Sequence, residues 1–147
     1  MEIEVARHPG GAAVVAVDAA GQVCLLRQFR APFEDWLWEL PAGKIDAPED
    51  PFVTARRELA EEAGLEAGRW QPLGAIVTCP GFCDEVLHLF LATELSPVPQ
   101  KTEADEYLEV HWWPFEEAVR EARAGQLRDV KTIVGLLRAA AIGPGAS

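Results

Sequence analysis

The sequence has no long uninterrupted run of apolar residues, although 49% of its 147 residues are hydrophobic. A helix that spans a bilayer needs roughly 18 to 20 consecutive apolar residues, and no stretch of the chain approaches that length. The N-terminus, Met-Glu-Ile-Glu-Val, lacks both the basic region and the apolar core of a signal peptide. We therefore expect a cytoplasmic protein that makes no contact with a membrane.

Cysteine is also scarce, since Cys24, Cys79 and Cys83 are the only three in the chain. An odd number in a chain of this size does not resemble the disulfide framework of a secreted protein. Cys79 and Cys83, with His88 nearby, permit a redox or zinc interpretation. Their spacing is not Cys-x-x-Cys, however, and no second cysteine pair exists. A reducing compartment is the simpler interpretation.

Positive charge is in short supply, with 13 Lys and Arg residues against 24 Asp and Glu residues and a formal net charge of −11. Proteins that bind a nucleic-acid backbone rely on clustered Lys and Arg, so we expect no nucleic acid as a partner. A small phosphate-containing substrate remains compatible with this charge. Divalent cations between an acidic pocket and the anionic substrate would reverse the local electrostatics.

The pattern of apolar residues predicts one α/β domain over residues 1–147, because the length suits one core and no internal repeat is visible. Strands and helices interleave, which favours a layered α/β architecture over a helical bundle or a β-sandwich. The predicted strands are residues 12–17, 23–27, 36–40, 71–78, 86–92 and 108–113, and the predicted helices are residues 51–63, 115–124 and 130–141.

Three carboxylates share one face of the first predicted helix. Glu58, Glu61 and Glu62 stand at positions i, i+3 and i+4, so they project together into a small volume. Asp50 is the expected N-cap and Gly64 the expected C-terminal stop, which places two of the carboxylates in the last turn. There they face the negative end of the helix dipole, an arrangement that stability alone would not select.

Two interpretations of this face are open. The first is an ordinary solvated acidic face, helped by an ion pair between Arg57 and Glu61 at i+4. It does not explain why Gly43, Glu49 and Leu65 also occur at fixed offsets from the carboxylates. The second is a metal site, because Mg²⁺ takes oxygen ligands and is commonly held by one or two carboxylates together with substrate phosphates.

The 23 residues from position 43 to position 65 read Gly-x5-Glu-x7-Arg-Glu-Leu-x-Glu-Glu-x-Gly-Leu. They match every fixed position of the Nudix box, and the chain therefore resembles the Nudix hydrolases. Residues 27–30, 38–43 and 80–85 are further similar to the ADP-ribose pyrophosphatase branch. The resemblance implies a mixed β-sheet sandwiched between α-helices. It also implies an enzyme that hydrolyses a nucleoside diphosphate linked to another group.

The resemblance also implies a metal site and its ligands. Glu58 and Glu62 would be the principal ligands, Glu61 a further ligand or the general base, and the carbonyl of Ala42 a backbone ligand. The metal would be Mg²⁺, with Mn²⁺ as the alternative. Arg57 would orient one of the box carboxylates.

Residues outside the box take their expected roles from the same resemblance. Arg27 and Arg30 could clamp a phosphate or a terminal ribose, or could simply be solvated. Glu39 could face the metal cluster from the end of its strand or be exposed. Pro80, Gly81 and Phe82 would form a specificity loop, although a Pro-Gly pair is also typical of an ordinary turn.

The general base is the least determined residue of the site. In the ADP-ribose pyrophosphatase branch the base can come from an acidic loop after the sheet, and residues 101–107 form such a segment here. Glu103 and Glu106 are the candidates, with Glu61 as their rival. Acidic loops are commonly just solvated, so that interpretation also stays open.

The sequence therefore predicts a metal-dependent hydrolase of a nucleoside diphosphate sugar, with ADP-ribose as the leading substrate and AMP and ribose 5-phosphate as products. The alternatives are another nucleotide sugar, a dinucleotide, or a non-catalytic domain that senses a nucleotide sugar. The related branch dimerises through a longer N-terminal arm, whereas only seven residues precede His8 here. We expect a homodimer, and the short N-terminus leaves both its geometry and the preference for ADP-ribose open.

Overall fold

The computed structural model describes residues 1–102 and 107–144. A short 3₁₀-helix, Ala31–Phe33, links the second and third strands. The elements, in chain order, are β1 (Gly11–Ala16), β2 (Gln22–Arg30), β3 (Asp35–Glu39), β4 (Ala42–Lys44), α1 (Pro51–Ala63), β5 (Leu65–Val77), β6 (Val86–Pro97), β7 (Leu108–Pro114), α2 (Phe115–Arg123) and α3 (Val130–Ile142).

The strands form two hydrogen-bonded sheets. The larger sheet has the order β4-β1-β6-β5 and is mixed, because β1 runs parallel to β6 while the other neighbours are antiparallel. The smaller sheet has the order β3-β2-β7 and is antiparallel throughout. The chain passes from the smaller sheet to the larger one between β3 and β4, through Leu40 and Pro41.

Strand β1 lies at the centre of the fold, and all six of its residues are buried. Its side chains alternate between two apolar clusters, as the two-residue period of a strand requires. Ala13 and Val15 pack in one cluster with Leu136 of α3, whereas Val14 packs in the other with Leu59 of α1. Helices therefore cover both faces of this sheet, and the predicted mixed sheet between α-helices is confirmed.

Helix α1 begins and ends where its sequence predicts. The carboxylate of Asp50 accepts a hydrogen bond from the backbone N–H of Val53 at 3.0 Å, which satisfies one of the free donors of the first turn. At the other end Gly64 adopts a φ of 66°, and its N–H donates to the carbonyl of Ala60. A residue with a side chain would be strained there, so this glycine fixes the end of the helix.

Four strands differ from the sequence-based expectation, and the first is β2, which continues to Arg30 beyond its predicted end at residue 27. Strand β4 was not predicted, because a three-residue segment containing glycine has no apolar alternation. It exists because Ala42–Lys44 pairs with the start of β1. Strands β5 and β6 extend beyond the predicted residues 71–78 and 86–92, since they pair with each other from Leu65↔Pro97 to Val77↔Val86. Pairing between distant segments leaves little trace in a local pattern.

Within the described residues, the helices are too short or too polar to cross a lipid bilayer.

Candidate active site

The two-residue passage between the sheets is fixed by hydrogen bonds from three different elements. The backbone N–H of Leu40 donates to the hydroxyl of Thr132 in α3 at 2.9 Å, and the carbonyl of Pro41 accepts from Val14 of β1 at 2.9 Å. The N–H of Ala42 then donates to the carboxylate of Glu62 at 2.8 Å. The predicted backbone ligand, Ala42, therefore lies directly beside a predicted carboxylate ligand.

Glycine is required at position 43 by the helix that faces it. A Cβ atom placed on Gly43 would overlap the carboxyl group of Glu58. The absence of a side chain lets α1 approach β4 closely enough for Glu58 to stand beside the backbone that carries the Ala42 carbonyl. Glu58 and Glu62 are both buried, with 9% and 4% of their surface exposed. The box glycine and the box glutamates thus form one packed unit.

Arg57 joins the carboxylates of the box. Its Nε and Nη2 donate to the two oxygens of Glu49 at 2.9 and 3.0 Å, in a bidentate pair. Its Nη1 donates to Glu58 at 2.7 Å and to Glu61 at 3.3 Å. Nη2 also donates to the carbonyl of Lys44 in β4 at 3.1 Å. One guanidinium therefore ties α1 to the loop before it and to the edge of the larger sheet.

These contacts change the ionisation of both partners. The hydrogen bond from Arg57 lowers the pKa of Glu49 to about 2, against a smaller opposing effect of desolvation. The same bond, together with the charge of Glu58, raises the pKa of Arg57 above its ordinary value. Glu49 and Arg57 therefore both stay charged at neutral pH. The predicted i, i+4 pair between Arg57 and Glu61 is present, as part of this larger set.

An apolar cluster of side chains lies close to Glu62. Cys24 of β2 is fully buried in the cluster that also holds Leu26 and Leu59. Burial, and then the nearby charge of Glu62, raises the pKa of the Cys24 thiol to about 12. The thiol is neutral and acts as a small apolar side chain. Glu62 thus borders a region of low polarity, where an electrostatic interaction is stronger than in water.

The oxygen donors of the site suit a hard divalent cation. The side chains of Glu58, Glu61 and Glu62 and the backbone carbonyl of Ala42 offer carboxylate and carbonyl oxygens only, which is the donor type that Mg²⁺ prefers. In the described residues, no three acidic, His or Cys side chains converge into a ready-made ligand set. Two of the glutamates are bound to Arg57 instead. The residues fit a divalent cation in chemistry, and Arg57 holds them in place.

Glu39, at the end of β3, is only 1% exposed and binds two cations. Arg30 donates to both of its oxygens, from Nε and Nη2, at 2.7 Å each. Lys131 donates to Oε1 at 2.6 Å. The exposed position that the sequence allowed for Glu39 is therefore wrong, while the alternative that it faces the metal cluster from the end of its strand stays a prediction. Its predicted part in substrate binding would have to act through Arg30.

The remaining predicted substrate contacts lie in two places. Arg27 stands over the ring of Trp36 at 5.1 Å from its centroid, on the smaller sheet. Pro80, Gly81 and Phe82 form an exposed turn before β6. The backbone of this turn is hydrogen-bonded to the N-terminal segment, where the N–H of Ala6 donates to the carbonyl of Phe82 at 2.6 Å. The structure places both groups without assigning a ligand to either.

Glu103 and Glu106, the two loop candidates for the general base, lie outside the described residues. The sequence reasoning missed Lys131 and Asp129, which contact each other and complete the surroundings of Glu39. A signal was available in the sequence Asp-Val-Lys-Thr. Asp129 is a typical N-cap, and the positive charge of a lysine in the first turn is unfavourable at the positive end of the helix dipole. That lysine needs acidic neighbours from elsewhere in the fold.

A cleft of about 1230 Å³ lies elsewhere, where the chain turns after β1. Box residues do not line it. Its walls come from the turn at residues 18–21, from β5 and β6, and from α2. Arginine and acidic side chains are balanced on these walls, in Arg69, Arg120, Arg123, Asp18, Glu94 and Glu116. None of the predicted site residues that the structure describes lines this cleft.

Residues 7–133 match the family described as the NUDIX domain. The match covers the box, the passage that carries Ala42 and the start of α3. The chain therefore belongs to the Nudix family, and the resemblance that the box suggested is confirmed. Nudix hydrolases generally use divalent metals, which agrees with the oxygen donors gathered around α1.

Curated relatives narrow the similarity further. The ADP-ribose pyrophosphatase of Bacillus subtilis (strain 168) is 42% identical over 131 residues, which are 88% of this chain and 71% of the relative. The ADP-ribose pyrophosphatase of Mycobacterium tuberculosis (strain ATCC 25618 / H37Rv) is 40% identical over 145 residues, which are 97% and 70%. A solved structure described as an ADP compounds hydrolase has a TM-score of 0.78 at 20% identity, covers 93% of this chain and 77% of its own, and supports the fold.

Gly43→Ala is expected to weaken metal binding, because the new methyl group would displace the carboxyl group of Glu58. We expect the affinity for Mn²⁺, measured by calorimetry, to fall about tenfold or more, while the far-UV circular dichroism stays unchanged. Gly81→Ala is the matched control, since a Cβ there meets nothing within 4 Å. Equal Mn²⁺ affinity in both variants would show that the approach of α1 to β4 is not needed for the metal.

The ion pair between Glu49 and Arg57 is expected to stabilise the fold in a pH-dependent way. The folded-state pKa of Glu49 is about 2, below its ordinary value, so the contribution is complete above pH 5 and is lost as the pH falls towards 2. Thermal melts of the wild type and Glu49→Gln, with chelator present, should therefore converge between pH 5 and pH 2. The exposed Glu4→Gln variant serves as control. A constant difference in Tm across this range would contradict the assignment.

Proposed function

We propose that this Nudix domain hydrolyses ADP-ribose to AMP and ribose 5-phosphate with Mg²⁺ as its metal. One observation carries the chemistry: the complete set of box residues is folded around the Ala42–Gly43 backbone, with every box glutamate placed by α1 or the loop before it. The substrate preference is supported by the two curated relatives at 42% and 40% identity, both named ADP-ribose pyrophosphatase.

Glu58, Glu61, Glu62 and the carbonyl of Ala42 would hold the metal. When bound, divalent ions lower the pKa of a water molecule and neutralise charge that develops on the phosphate. The protein contributes a rigid arrangement of donors. Arg57 fixes Glu58 and Glu61, and the N–H of Ala42 fixes one oxygen of Glu62, so little reorganisation is needed when the substrate arrives.

Arg30 is the best-placed residue for the anionic part of the substrate. It ends β2 with a side chain that is 43% exposed, although Glu39 holds two of its nitrogens. Guanidinium groups bind phosphate oxygens through charge-assisted hydrogen bonds. Arg27 lies three residues earlier on the same strand. Since neighbouring positions alternate in direction, it shares a sheet face with Phe29 and not with Arg30. We assign the diphosphate to Arg30 and a peripheral part of the substrate to Arg27.

The turn at Pro80, Gly81 and Phe82 is the proposed specificity element. Its exposure leaves these side chains accessible to a base or a sugar, and Phe82 is 60% exposed. The general base is proposed among Glu61, Glu103 and Glu106. Glu61 is held by Arg57 at 3.3 Å, a long contact that leaves its carboxylate the least constrained of the three that Arg57 contacts.

Hydrolysis of ADP-ribose is expected to require both metal and Glu62. We expect phosphate-coupled assays with Mg²⁺ to show a preference for ADP-ribose over other nucleotide sugars, dinucleotides and nucleoside triphosphates, and chelator to abolish turnover. Glu62→Gln retains an oxygen for the Ala42 N–H and should fold, yet lose kcat by roughly 10²–10³-fold.

The outcomes of this assay separate the alternatives. Metal-dependent preference for another nucleotide sugar or a dinucleotide would keep the box chemistry and reject ADP-ribose. No turnover of any compound, with binding of ADP-ribose retained, would support the non-catalytic sensor. Unchanged turnover by a folded Glu62→Gln variant would reject the metal-site assignment.

We also propose that the chain forms a homodimer through the outer part of its smaller sheet. Strand β3 is an edge of that sheet, and Phe29, Phe33 and Trp36 are exposed around it. The rings of Phe29 and Trp36 are 5.7 Å apart and extend the apolar surface. Exposed clusters of this kind are typical of interfaces.

Light scattering after size-exclusion chromatography is expected to give twice the monomer mass of 16.1 kDa. Trp36→Glu should shift the mass towards the monomer without changing the far-UV spectrum, because a buried interface would then contain an unpaired charge. The matched control is Val77→Glu, at another exposed apolar position, in β5. A monomeric wild type would contradict the proposal.

A further inference from the structure

Four charged side chains meet where β2, β3 and α3 come together. Arg30 ends β2, Glu39 ends β3, and Asp129 and Lys131 stand at the start of α3. Lys131 donates to Glu39 at 2.6 Å and pairs with Asp129 at 3.1 Å, while Arg30 makes its bidentate contact with Glu39. Each cation thus has an acidic partner, and Glu39 is shared between the two cations.

The formal charges of this cluster sum to zero, and two of its four side chains are buried. Lys131 is 8% exposed and Glu39 is 1% exposed, so each would be costly to bury without a partner. Desolvation opposes the charge on Lys131, but the charges of Asp129 and Glu39 outweigh it and raise the pKa of the lysine. For Glu39 desolvation is likewise outweighed, by Arg30 and Lys131, and the pKa is lowered. These directions favour the charged forms of both Lys131 and Glu39.

The shape of the cluster leaves part of Arg30 available. Its Nε and Nη2 are both committed to Glu39, at 2.7 Å each. Among the described residues, its Nη1 makes no hydrogen bond. Because the guanidinium is planar, fixing one edge on a carboxylate fixes the direction of the remaining nitrogen as well. Glu39 thus determines where Nη1 points, and Lys131 holds Glu39.

The same cluster is connected to the predicted metal ligands. Asp129 accepts from the hydroxyl of Thr132 at 2.6 Å, and that hydroxyl accepts from the N–H of Leu40, the residue next to Glu39. Two residues further on, Ala42 donates to Glu62. The start of α3 therefore supports both Arg30 and the backbone passage that carries a predicted ligand.

We propose that Lys131 is a positioning residue, which holds Glu39 so that Nη1 of Arg30 is aimed at a phosphate oxygen of the diphosphate substrate. This inference rests on the proposed function, in which Arg30 binds the anionic part of a nucleotide sugar. Lys131 itself lies too deep to touch that substrate. Its effect on substrate binding therefore passes through Glu39 and Arg30.

A double-mutant cycle tests this dependence. The variants are Lys131→Met, Arg30→Ala and the double variant, assayed with ADP-ribose and Mg²⁺. We expect Arg30→Ala to raise KM by about tenfold or more, the order of one lost charge-assisted hydrogen bond, and Lys131→Met to raise it severalfold. In the Arg30→Ala background, Lys131→Met should change KM by less than about twofold. A merely structural lysine would raise KM equally in both backgrounds, which would overturn the proposal.

Stability is measured beside the kinetics, because Lys131→Met leaves a buried negative charge without its partner. If that variant does not fold, Asp129→Asn/Lys131→Met takes its place, since it removes one charge of each sign and keeps an amide oxygen for Thr132. The control is Arg128→Ala, a neighbouring cation whose side chain is 56% exposed and pairs with Asp35 on the surface. It should leave KM unchanged in both backgrounds.

A second measurement needs no substrate and so separates this inference from the proposed function. In ¹⁵N NMR spectra of the ligand-free protein, the Nε–H of Arg30 should exchange slowly with solvent. Lys131→Met, or the charge-neutral double variant, should accelerate that exchange about tenfold or more, whereas Arg128→Ala should not. Unchanged exchange would overturn the positioning role even if ADP-ribose is hydrolysed. Accelerated exchange in a protein that hydrolyses no nucleotide sugar would reject the proposed function and keep the structural link.

Discussion

The active-site end of this protein depends on one guanidinium group. Arg57 is placed by α1 among glutamates that would otherwise repel one another, and it satisfies Glu49, Glu58 and Glu61 at once. Helix α1 carries no basic residue in its last turn to offset the dipole at that end. The contact with the carbonyl of Lys44 adds the edge strand β4 to the same interaction. Arg57 therefore links the helix, the preceding loop and the sheet through hydrogen bonds from one side chain.

In the box, the residues proposed to serve the function oppose the stability of their own helix. The carboxylates are unfavourable to the helix that carries them, and the protein offsets the cost with a cation that a metal would partly replace. Glu49 is the bidentate partner of Arg57 and is not itself a predicted metal ligand. Glu49 is thus needed twice, as the partner that keeps Arg57 in place and as the acid whose pKa of about 2 keeps it charged across the range in which the enzyme could work.

The sequence predicted those parts of the site that are local in the chain. The bounds of α1 follow from Asp50, Pro51 and Gly64, each of which acts within one turn of its own position. The grouping of the box glutamates follows from the helical period alone. The requirement for glycine at position 43 was predicted only through the family resemblance, because its cause is a helix fifteen residues away.

The parts that the sequence did not predict arise from pairing across long distances. Strand β4 pairs with β1, and the buried Glu39 binds Lys131, which comes from a helix 92 positions further along the chain. The local sequence offers Asp129 as one acidic partner of this lysine, but nothing in it identifies Glu39 as the second. Buried charge pairs between distant segments are visible only when the fold is known.

The passage through Leu40 and Pro41 connects the two sheets at the candidate active site. Because these two residues leave one sheet and enter the other, the predicted ligand Ala42 stands on the larger sheet while Arg30 and Glu39 stand on the smaller one. A displacement of one sheet against the other would therefore change the distance between Arg30, the proposed substrate-binding residue, and Ala42, the predicted metal ligand. The candidate active site lies where the two sheets meet. Its geometry therefore depends on how the two sheets pack against each other.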